Sequence, residues 1–370
     1  MNLTEREQQV VELLRRDPMI GSAAMAERLS MTRAAVNVHL SNLGKKGVIL
    51  GRGYLLSEQP GVVVIGGANV DLKARSGAKA TPGTSNPGHA SMSSGGVGRN
   101  IAENLARLGT RTHLIAAVGR DPFGDTLLAE TAAAGVRLDY VHRTDLPTGT
   151  YAAVLDADGE LLVAVADMSA TDALAPEHLG AGRDVITTAG VVVLDGNLAA
   201  PTFAHALGLA TAAQVRVVVE PVSVAKAGLL APHLVAGQVV FAVTPNRDEL
   251  AALTGLPTRT ERQLSAAIGD LHARGVQHVW VRLGEGGSVL ASHDGTTTRI
   301  AAPTTEVQDV TGAGDAMLAG FCHGLLAGDE LAVAARLGQA AATLTVASTH
   351  TVRPDLTDRL IRSALTQEHA

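Results

Sequence analysis

The chain has 370 residues, of which 46% are hydrophobic and 18% charged, with a formal net charge of −6. This composition excludes wholesale disorder, and the length allows more than one domain. Aromatic residues amount to only 2%, which argues against the broad stacking surfaces that bind single-stranded nucleic acids. The single cysteine, Cys322, excludes an intrachain disulfide and a multi-cysteine metal site.

The first 58 residues differ from the rest in charge and in pattern, and we predict that residues 1–58 form a separate domain. They contain eight Lys and Arg against six Asp and Glu, a net charge of +2, which leaves −8 for the remainder of the chain. Apolar spacing predicts helices over 4–16, 22–29 and 32–43, with a short turn between the last two. This is the arrangement of a helix-turn-helix motif.

The third of these helices has an apolar stripe, Val36, Leu40 and Leu43, which leaves the opposite face free to meet a major groove. After Gly47 the sequence alternates as a β-hairpin wing would, and the segment resembles the winged-helix DNA-binding domains of many bacterial regulators. The residues that we predict to contact DNA are Thr32, Arg33, Asn37 and, at the tip of the wing, Arg52. The alternative is a domain used only for oligomerisation, and the modest charge predicts weak DNA binding unless a dimer doubles the contacts.

From residue 60 to residue 370 apolar strands alternate with helices. Strands are predicted over 62–66, 112–118, 191–194, 216–219, 239–243 and 278–283. Helices are predicted over 98–108, 124–134, 201–213 and 261–274. Apolar β-branched runs separated by helices predict an α/β sandwich with a mostly parallel sheet.

Residues 227–246 carry no Asp, Glu, Lys or Arg, and a run of this length raises the question of a membrane span. Pro232, Gly237 and Pro245 interrupt it, so we interpret it as a short helix, a loop and a buried strand. The charged beginning, MNLTEREQQV, is untypical of a signal peptide. We therefore expect a cytoplasmic protein.

The first predicted strand of the α/β region runs into the sequence GGANVD, which places Asn69 and Asp71 just beyond its carboxyl end, where α/β proteins bind ligands. An amide and a carboxylate suit the adjacent hydroxyls of a polyol. Downstream, the sequence GGVGRN, which ends at Asn100, opens a helix but follows no buried strand. Its third glycine is replaced by Ile101, so we discount dinucleotide binding.

Two segments break the alternation of strands and helices. Residues 72–94 are polar and rich in turn residues, and residues 150–167 have the pattern of a hairpin that turns at Asp158 and Gly159. Long excursions from compact domains often cover active sites. We predict that both segments project from the sheet as lids, and an edge extension or a dimer contact is the alternative.

The most informative motif is DVTGAGD, from Asp309 to Asp315, which an apolar helix follows. Its glycines allow close approach to the unpaired N–H groups at a helix N-terminus, and such groups attract anions. The predicted anion hole consists of Gly312, Ala313 and Gly314. An aspartate beside an anion is unfavourable unless it accepts a proton, so we interpret Asp315 as a general base in phosphoryl transfer. The alternative is an ordinary helix start with a dipole-compensating carboxylate.

These three motifs, in this order, resemble those of the ribokinase-like (PfkB) carbohydrate kinases, and the resemblance covers roughly residues 60–370. It implies a ribokinase-like α/β/α sandwich with a small β lid, and an ATP-dependent kinase with Asp315 as its catalytic base. The residues that it implies for sugar binding are Asn69, Asp71, Gly96 and Asn100.

The same resemblance implies a donor site for ATP and Mg²⁺. Asn246 and Glu249 match the N-x-x-E motif that serves the phosphates and hydrated Mg²⁺ in this family. Gly284 and Gly286 match its nucleotide-side turn.

Three further features of the family pattern concern cations and charge. Asp309 and Thr311 lie where related kinases bind a monovalent cation such as K⁺. Arg282 stands where relatives usually carry a small hydroxyl residue, and Glu220 stands where they usually carry Asp.

Within the family the chain is most similar to pseudouridine kinases. The residues that carry this likeness are Ser85 to Gly88, Asp167 and Met168, Asp195 and Asn197, and Glu220 to Ser223 with Lys226. The likeness implies Asn197 and Lys226 as further substrate contacts.

We therefore predict a kinase that phosphorylates the 5′-hydroxyl of pseudouridine, assembles as a homodimer and binds DNA through its N-terminal domain. One alternative is another sugar or nucleoside kinase, acting on ribose, uridine or adenosine. The other is a transcription regulator whose kinase-like domain only senses a ligand. The intact Asp315, Asn246 and Glu249 favour an enzyme, because a sensor could lose the base without losing binding.

Overall fold

The computed structural model describes residues 3–51, 60–235 and 240–367. The chain forms two compact units, Met1–Gln59 and Pro60–Ala370. The first contains three helices that agree with the predicted ones to within two residues: α1 (Glu5–Arg16), α2 (Ser22–Arg28) and α3 (Arg33–Lys45). Val10, Leu14, Met25, Val36 and Leu43 fill its core.

Side chains before the first turns fix where α1 and α3 begin. Thr4 and Glu7 form a capping box at α1, and the Thr32 hydroxyl accepts a hydrogen bond from the Ala35 N–H at 3.2 Å. Thr32 therefore has a structural role besides the predicted DNA contact. Arg33 and Asn37 are exposed on α3, as predicted. The predicted wing and its Arg52 fall largely on residues 52–59, outside the described residues.

The second unit contains the strands and helices of the α/β region. In chain order the strands are β1 (Val62–Ile65), β2 (Asn69–Ser76), β3 (Gly88–Gly95), β4 (Thr112–Ile115), β5 (Ala117–Gly119), β6 (His142–Thr144), β7 (Thr150–Leu155), β8 (Leu161–Asp167), β9 (Val191–Asp195), β10 (Arg216–Glu220), β11 (Val240–Val243), β12 (Val276–Arg282), β13 (Ser288–Ser292) and β14 (Thr297–Ile300). The helices are α4 (Val97–Arg107), α5 (Pro122–Ala133), α6 (Ser169–Asp172), α7 (Arg183–Thr187), α8 (Ala200–Ala212), α9 (Val224–Leu230), α10 (Arg247–Thr254), α11 (Glu261–Ala273), α12 (Ala313–Ala327), α13 (Leu331–Val346) and α14 (Asp358–Gln367).

Eight strands form the main sheet, in the order β14-β13-β12-β11-β10-β9-β1-β4. Neighbours from β12 to β4 pair in parallel, whereas β13 and β14 add an antiparallel edge. The sheet is thus mostly parallel, as predicted. Strand order reverses at β1, since the chain adds β4 on one side of it and β9 on the other. Such a reversal opens a crevice at the carboxyl ends of the two strands.

Both faces of the main sheet are covered. Alternate residues of β1 point to opposite sides, so Val63 packs in the same cluster as Phe203 of α8, and Val64 in that of Phe321 of α12. This arrangement confirms the predicted α/β/α sandwich. Trp280 is fully buried, and its indole N–H donates to the Ser288 hydroxyl at 3.1 Å.

The two predicted lid segments come together in a second sheet of four strands, in the order β3-β2-β7-β8. β7 and β8 form the predicted hairpin, and Gly159 in its turn has φ +88°. Three residues separate the end of β1 from the start of β2, and Gly96 alone separates the end of β3 from α4, so the lid is attached at the reversal point of the main sheet.

The predicted strand 112–118 proved wrong in one respect, since it is divided between two sheets. β4 belongs to the main sheet, whereas β5 pairs with β6 in a separate two-stranded sheet. The carbonyl of Ala116, between the two strands, accepts a hydrogen bond from His142 N at 2.8 Å. From this point the chain pairs with β6 instead of β1. Among the described residues, no helix is long and apolar enough to cross a membrane.

Candidate active site

Two loops are tied together at the carboxyl ends of β1 and β9 by the buried carboxylate of Asp195. It accepts hydrogen bonds from the backbone N–H groups of Gly67 and Asn197, each at 2.8 Å. A Cβ atom on Gly66 would lie 2.2 Å from Asp195 Oδ2, so only glycine fits there. Burial raises the pKa of Asp195 to about 6, although these hydrogen bonds oppose the rise.

Our sequence-based predictions gave Asp195 no role at the site. The signal that could have identified it is a carboxylate ending an apolar strand, at the position where strand order reverses. That reversal depends on the strand pairing, which the sequence does not state.

The polar residues predicted to bind sugar lie where β2 begins and β3 ends. Asn69 Nδ2 donates to Asp71 Oδ1 at 2.8 Å, and burial raises the pKa of Asp71. Gly96 has φ +96°, and a Cβ atom there would lie 2.6 Å from the carbonyl oxygen of Gly67. The two glycine-containing loops are therefore in backbone contact, with the amide and carboxylate beside them.

Asn100 connects this polar region to the predicted base. It lies in α4, and its Nδ2 donates to Asp315 Oδ2 at 2.9 Å. Asp315, in the first turn of α12, is 9% exposed. Burial raises its pKa to about 8, the Asn100 hydrogen bond opposes this, and the charge of Glu220 adds to it. A carboxyl group with such a pKa can accept a proton near neutral pH.

The three residues of the predicted anion hole form the start of α12. Gly312 is its N-cap with φ +80°, and a Cβ atom there would meet the carbonyl oxygen of Thr351 at 2.1 Å. Ala313 and Gly314 follow in the first turn, whose N–H groups lack intrahelical acceptors, and the Ala313 N–H donates to the Val310 carbonyl in the preceding turn at 3.3 Å. The helix is 15 residues long, so its N-terminus presents both these donors and the positive end of the helix dipole.

The predicted donor residues Asn246 and Glu249 begin α10 and form a capping box. Asn246 Oδ1 accepts a hydrogen bond from Glu249 N at 2.9 Å, while Asn246 N donates to Glu249 Oε2 at 2.8 Å. Glu249 is buried, and burial raises its pKa while the charge of Arg282 lowers it. The N-x-x-E motif therefore has a structural role at this helix start, whatever else it binds.

Arg282 and Glu220 form a largely buried ion pair between the ends of β12 and β10. Arg282 Nη2 lies 2.7 Å from Glu220 Oε1 and Nη1 lies 3.1 Å from Oε2, a bidentate geometry. Nη2 also lies 3.0 Å from Glu249 Oε2. Arg282 and Glu220 are the two positions that depart from the family pattern, and in the structure they contact each other.

The nucleotide-side turn follows β12 directly. Gly284 and Gly286 form a single 3₁₀ turn, which the Leu283 N–H closes by donating to the Gly287 carbonyl at 2.8 Å. Gly284 has φ +59°. Both predicted residues thus lie on the same edge of the sheet as Arg282.

Four remaining residues lie around this edge. Asn197 Nδ2 lies 3.2 Å from the position of a Cβ atom on Gly67, beside the sugar-side loop. Lys226 is half-buried in the first turn of α9. Asp309 Oδ1 accepts a hydrogen bond from Thr311 N at 2.8 Å, which closes the turn before α12.

Known proteins resemble this chain over most of its length. Residues 59–358 match the pfkB family carbohydrate kinase model, and residues 3–49 match a model described as winged helix-turn-helix DNA-binding. The uncharacterized sugar kinase YeiI of Escherichia coli (strain K12) is 34% identical over 355 residues, which is 96% of this chain and 97% of that protein. The pseudouridine kinase of the same organism is 34% identical over 304 residues, 81% of this chain and 95% of that protein.

A solved structure supports the fold assignment. The ribokinase of Arabidopsis thaliana, complexed with ribose and ATP, has a TM-score of 0.74 and 27% identity, and the match covers 83% of this chain and 99% of that one. These matches agree with the crevice at the reversal point, the buried carboxylate of Asp315 and the helix N-terminus beside it. The chain belongs to the pfkB family of carbohydrate kinases, which transfer a phosphoryl group to a hydroxyl acceptor, and it carries a winged helix-turn-helix domain before its kinase domain.

Proposed function

We propose that the protein transfers the γ-phosphoryl group of ATP to the 5′-hydroxyl of pseudouridine. The observation that carries this proposal is the 2.9 Å hydrogen bond from Asn100 to Asp315. It joins the residues predicted to bind the sugar to a proton acceptor at a helix N-terminus. The choice of nucleoside rests on the likeness to pseudouridine kinase, which is 34% identical.

In this mechanism Asn69, Asp71 and Asn100 hold the ribose hydroxyls. Asp315 accepts the proton of the 5′-hydroxyl as its oxygen forms a bond to the γ-phosphorus. The bond from that phosphorus to the β,γ-bridging oxygen breaks, and ADP leaves with the electron pair. The N–H groups of Gly312, Ala313 and Gly314 stabilise the charge on the transferring group.

Mg²⁺ enters as part of the substrate complex with ATP. Among the described residues, no three His, Cys, Asp or Glu side chains are grouped to hold a metal ion. Asn246 and Glu249 would hold the hydrated Mg²⁺. Glu249 Oε2 accepts hydrogen bonds from Asn246 N and Arg282 Nη2, which fix the orientation of its carboxylate. Asp309 and Thr311, in the turn before α12, would hold K⁺, to which the Asp309 carboxylate would supply a negative charge.

Selectivity for pseudouridine is expected to come from the lid, since uridine carries the same ribose. The extra ring N–H of pseudouridine suits an acceptor over the base, and an acceptor left unpaired by uridine would reduce kcat/KM by about ten- to a hundredfold. In the 77–87 loop the Asn86 side chain bonds both N and O of Thr81, at 2.8 and 3.0 Å. Asn86→Ala is therefore expected to loosen this loop and shrink the preference.

The measurement is a coupled ADP-release assay over pseudouridine, uridine, adenosine, ribose and fructose 6-phosphate. The full-length protein should prefer pseudouridine over uridine at least tenfold in kcat/KM, with a smaller ratio for Asn86→Ala. A matched control is Ser91→Ala in β3, whose hydroxyl makes only a 3.5 Å bond to the Lys73 carbonyl. Equal efficiency on both nucleosides would instead favour a general nucleoside kinase.

We infer a homodimer from the outer edge of the lid. β8 is the last strand of its sheet, and its side chains are largely apolar yet exposed: Leu161 56%, Leu162 50%, Val163 54% and Val165 64%. An exposed apolar edge strand of this kind is a surface that pairs readily with another chain. A second copy of the chain supplies one without any further component.

Val163→Lys with Val165→Lys is therefore expected to convert the dimer to a monomer in sedimentation equilibrium. Both side chains are exposed, so the fold of each subunit should stay intact, and any fall in the unfolding midpoint should come from the lost association. Met19→Lys, an exposed apolar position at 82% in the first domain, is the matched control and should leave the dimer intact. A wild-type protein that is monomeric at micromolar concentration would refute the inference.

We further propose that the first 58 residues bind duplex DNA. The match to a winged helix-turn-helix model over residues 3–49 supports it, as do Arg33 and Asn37 exposed on α3. The kinase would then regulate transcription or be held at DNA.

A further inference from the structure

The guanidinium group of Arg282 lies beside the anion hole. A Cβ atom on Gly314 would be 2.5 Å from Arg282 Nη1, so the group rests against the first turn of α12, next to Asp315 in sequence. Its side chain is 18% exposed. Two features that attract phosphoryl oxygens, a helix N-terminus and an arginine, thus meet at one place.

Glu220 fixes this guanidinium group and is itself held by two further hydrogen bonds. Its Oε1 accepts a hydrogen bond from Val222 N at 3.2 Å, and its Oε2 accepts one from the Thr244 hydroxyl at 2.7 Å. Val222 has φ +71°, in the left-handed region that a β-branched residue seldom adopts. Strain of this kind persists only where the surrounding structure determines it, and it is concentrated at functional sites.

Arg282 still has donors to give. Its bonds to Glu220 and Glu249 use both N–H groups of Nη2 and one of Nη1. Among the described residues its Nε–H and the second N–H of Nη1 have no acceptor. Burial lowers the pKa of Arg282, but the two carboxylates outweigh this and raise it, so the group stays charged.

We infer that Arg282 is a catalytic residue that donates hydrogen bonds to the phosphoryl group as it moves from ATP to the acceptor, an inference that rests on the phosphoryl transfer proposed above. The cluster contains two carboxylates, of Glu220 and Glu249, and one guanidinium group, so its net charge is negative. It therefore favours ATP whose charge is reduced by Mg²⁺ over the free ATP anion. Glu220, one methylene longer than Asp, is a positioning residue that holds the arginine over Gly314.

Two other roles are possible for a buried arginine here, and they predict different results. Arg282 could serve only to neutralise Glu220, in which case removing both charges together would leave turnover intact. It could instead fill the phosphate site and block it, in which case its removal would increase turnover.

The test compares Arg282→Met, Arg282→Lys and the double variant Glu220→Gln/Arg282→Met in the full-length chain. Arg282→Met should lower kcat by about a hundredfold, the effect of losing one transition-state donor, and Arg282→Lys by less. Arg282→Met leaves the buried carboxylates of Glu220 and Glu249 without their guanidinium partner, so its unfolding midpoint should fall. The double variant removes the charge of Glu220 and should regain part of the midpoint, since Glu249 still lacks its partner, while its kcat stays low.

The double variant therefore separates catalysis from folding. Wild-type kcat in the double variant would overturn the inference in favour of neutralisation, and faster turnover by Arg282→Met would overturn it in favour of a block. If the wild-type protein releases no ADP with any acceptor of the panel, the proposed function fails. Calorimetric binding of the Mg²⁺ complex of a non-hydrolysable ATP analogue then decides for Arg282: at least fivefold weaker binding by the double variant supports the inference, and unchanged binding overturns it.

Discussion

Asp315→Asn is expected to lower kcat by about 10²- to 10⁴-fold, the range for a positioned general base. Asparagine has nearly the same shape, and its side-chain oxygen can still accept the hydrogen bond that Asn100 donates at 2.9 Å. Binding of the nucleoside should therefore remain nearly intact. Steady-state kinetics with direct calorimetric binding measures both quantities, and unchanged turnover would remove Asp315 from its role as the base.

The pH profile gives an independent check on the same residue. The base must be unprotonated, and burial raises its pKa to about 8. The kcat/KM of the wild-type protein should therefore rise with pH and level off above about 8, since this profile reports the free enzyme. A profile that is flat between pH 6 and pH 9 would contradict the assignment.

The stability of the folded protein should fall as the pH rises, whereas kcat/KM increases. Because the pKa of Asp315 is raised on folding, the folded protein keeps a proton that the unfolded chain releases, between its ordinary value near 4 and about 8. The stabilising contribution of this proton is present below that window and is lost as pH rises through it. The unfolding midpoint of Asp315→Asn should thus exceed that of the wild-type protein above pH 8 and approach it near pH 4, as measured by thermal denaturation.

Deleting residues 1–58 is expected to abolish binding to duplex DNA while kinase activity is retained. The deleted segment has a net charge of +2 and the remainder −8, so the kinase domain alone repels phosphate. The chain divides into two compact units, Met1–Gln59 and Pro60–Ala370, so the deletion removes one unit and leaves the other whole. Fluorescence anisotropy with a labelled duplex, at low and at physiological salt, measures the loss.

A point variant avoids the deletion and tests the recognition helix directly. Arg33→Gln removes one charge from the exposed face of α3, and Arg6→Gln removes the same charge from the exposed face of α1. Arg33→Gln should weaken binding by about tenfold or more, as expected for a groove contact, and Arg6→Gln by much less. Thr32 is left in place because it caps α3. Equal effects of the two variants, or DNA binding by the truncated protein, would refute the DNA-binding proposal.

The sequence by itself determined the helices, most strands and the chemistry of the main motifs. Local signals suffice for these features: Thr32 begins α3 because its hydroxyl caps the first turn, and Gly312 begins α12 because its φ of +80° favours glycine. The hairpin of β7 and β8 also follows from local pattern, with Gly159 in the turn. The base at Asp315 was predicted for the same reason, since motif and helix start are contiguous in the chain.

Only the tertiary structure decided which of these pieces meet. The sequence could not show that residues 72–94 and 150–167 share one sheet, because strand pairing depends on contacts distant along the chain. It named Arg282 and Glu220 as two separate departures, 62 residues apart, yet in the folded chain they form one bidentate pair against Gly314. The sequence analysis named Asp195 only as part of a likeness and gave it no role, for the same physical reason. Its importance comes from a loop 128 residues away, whose Gly67 N–H it binds in a buried place where an unpaired carboxylate would be unstable.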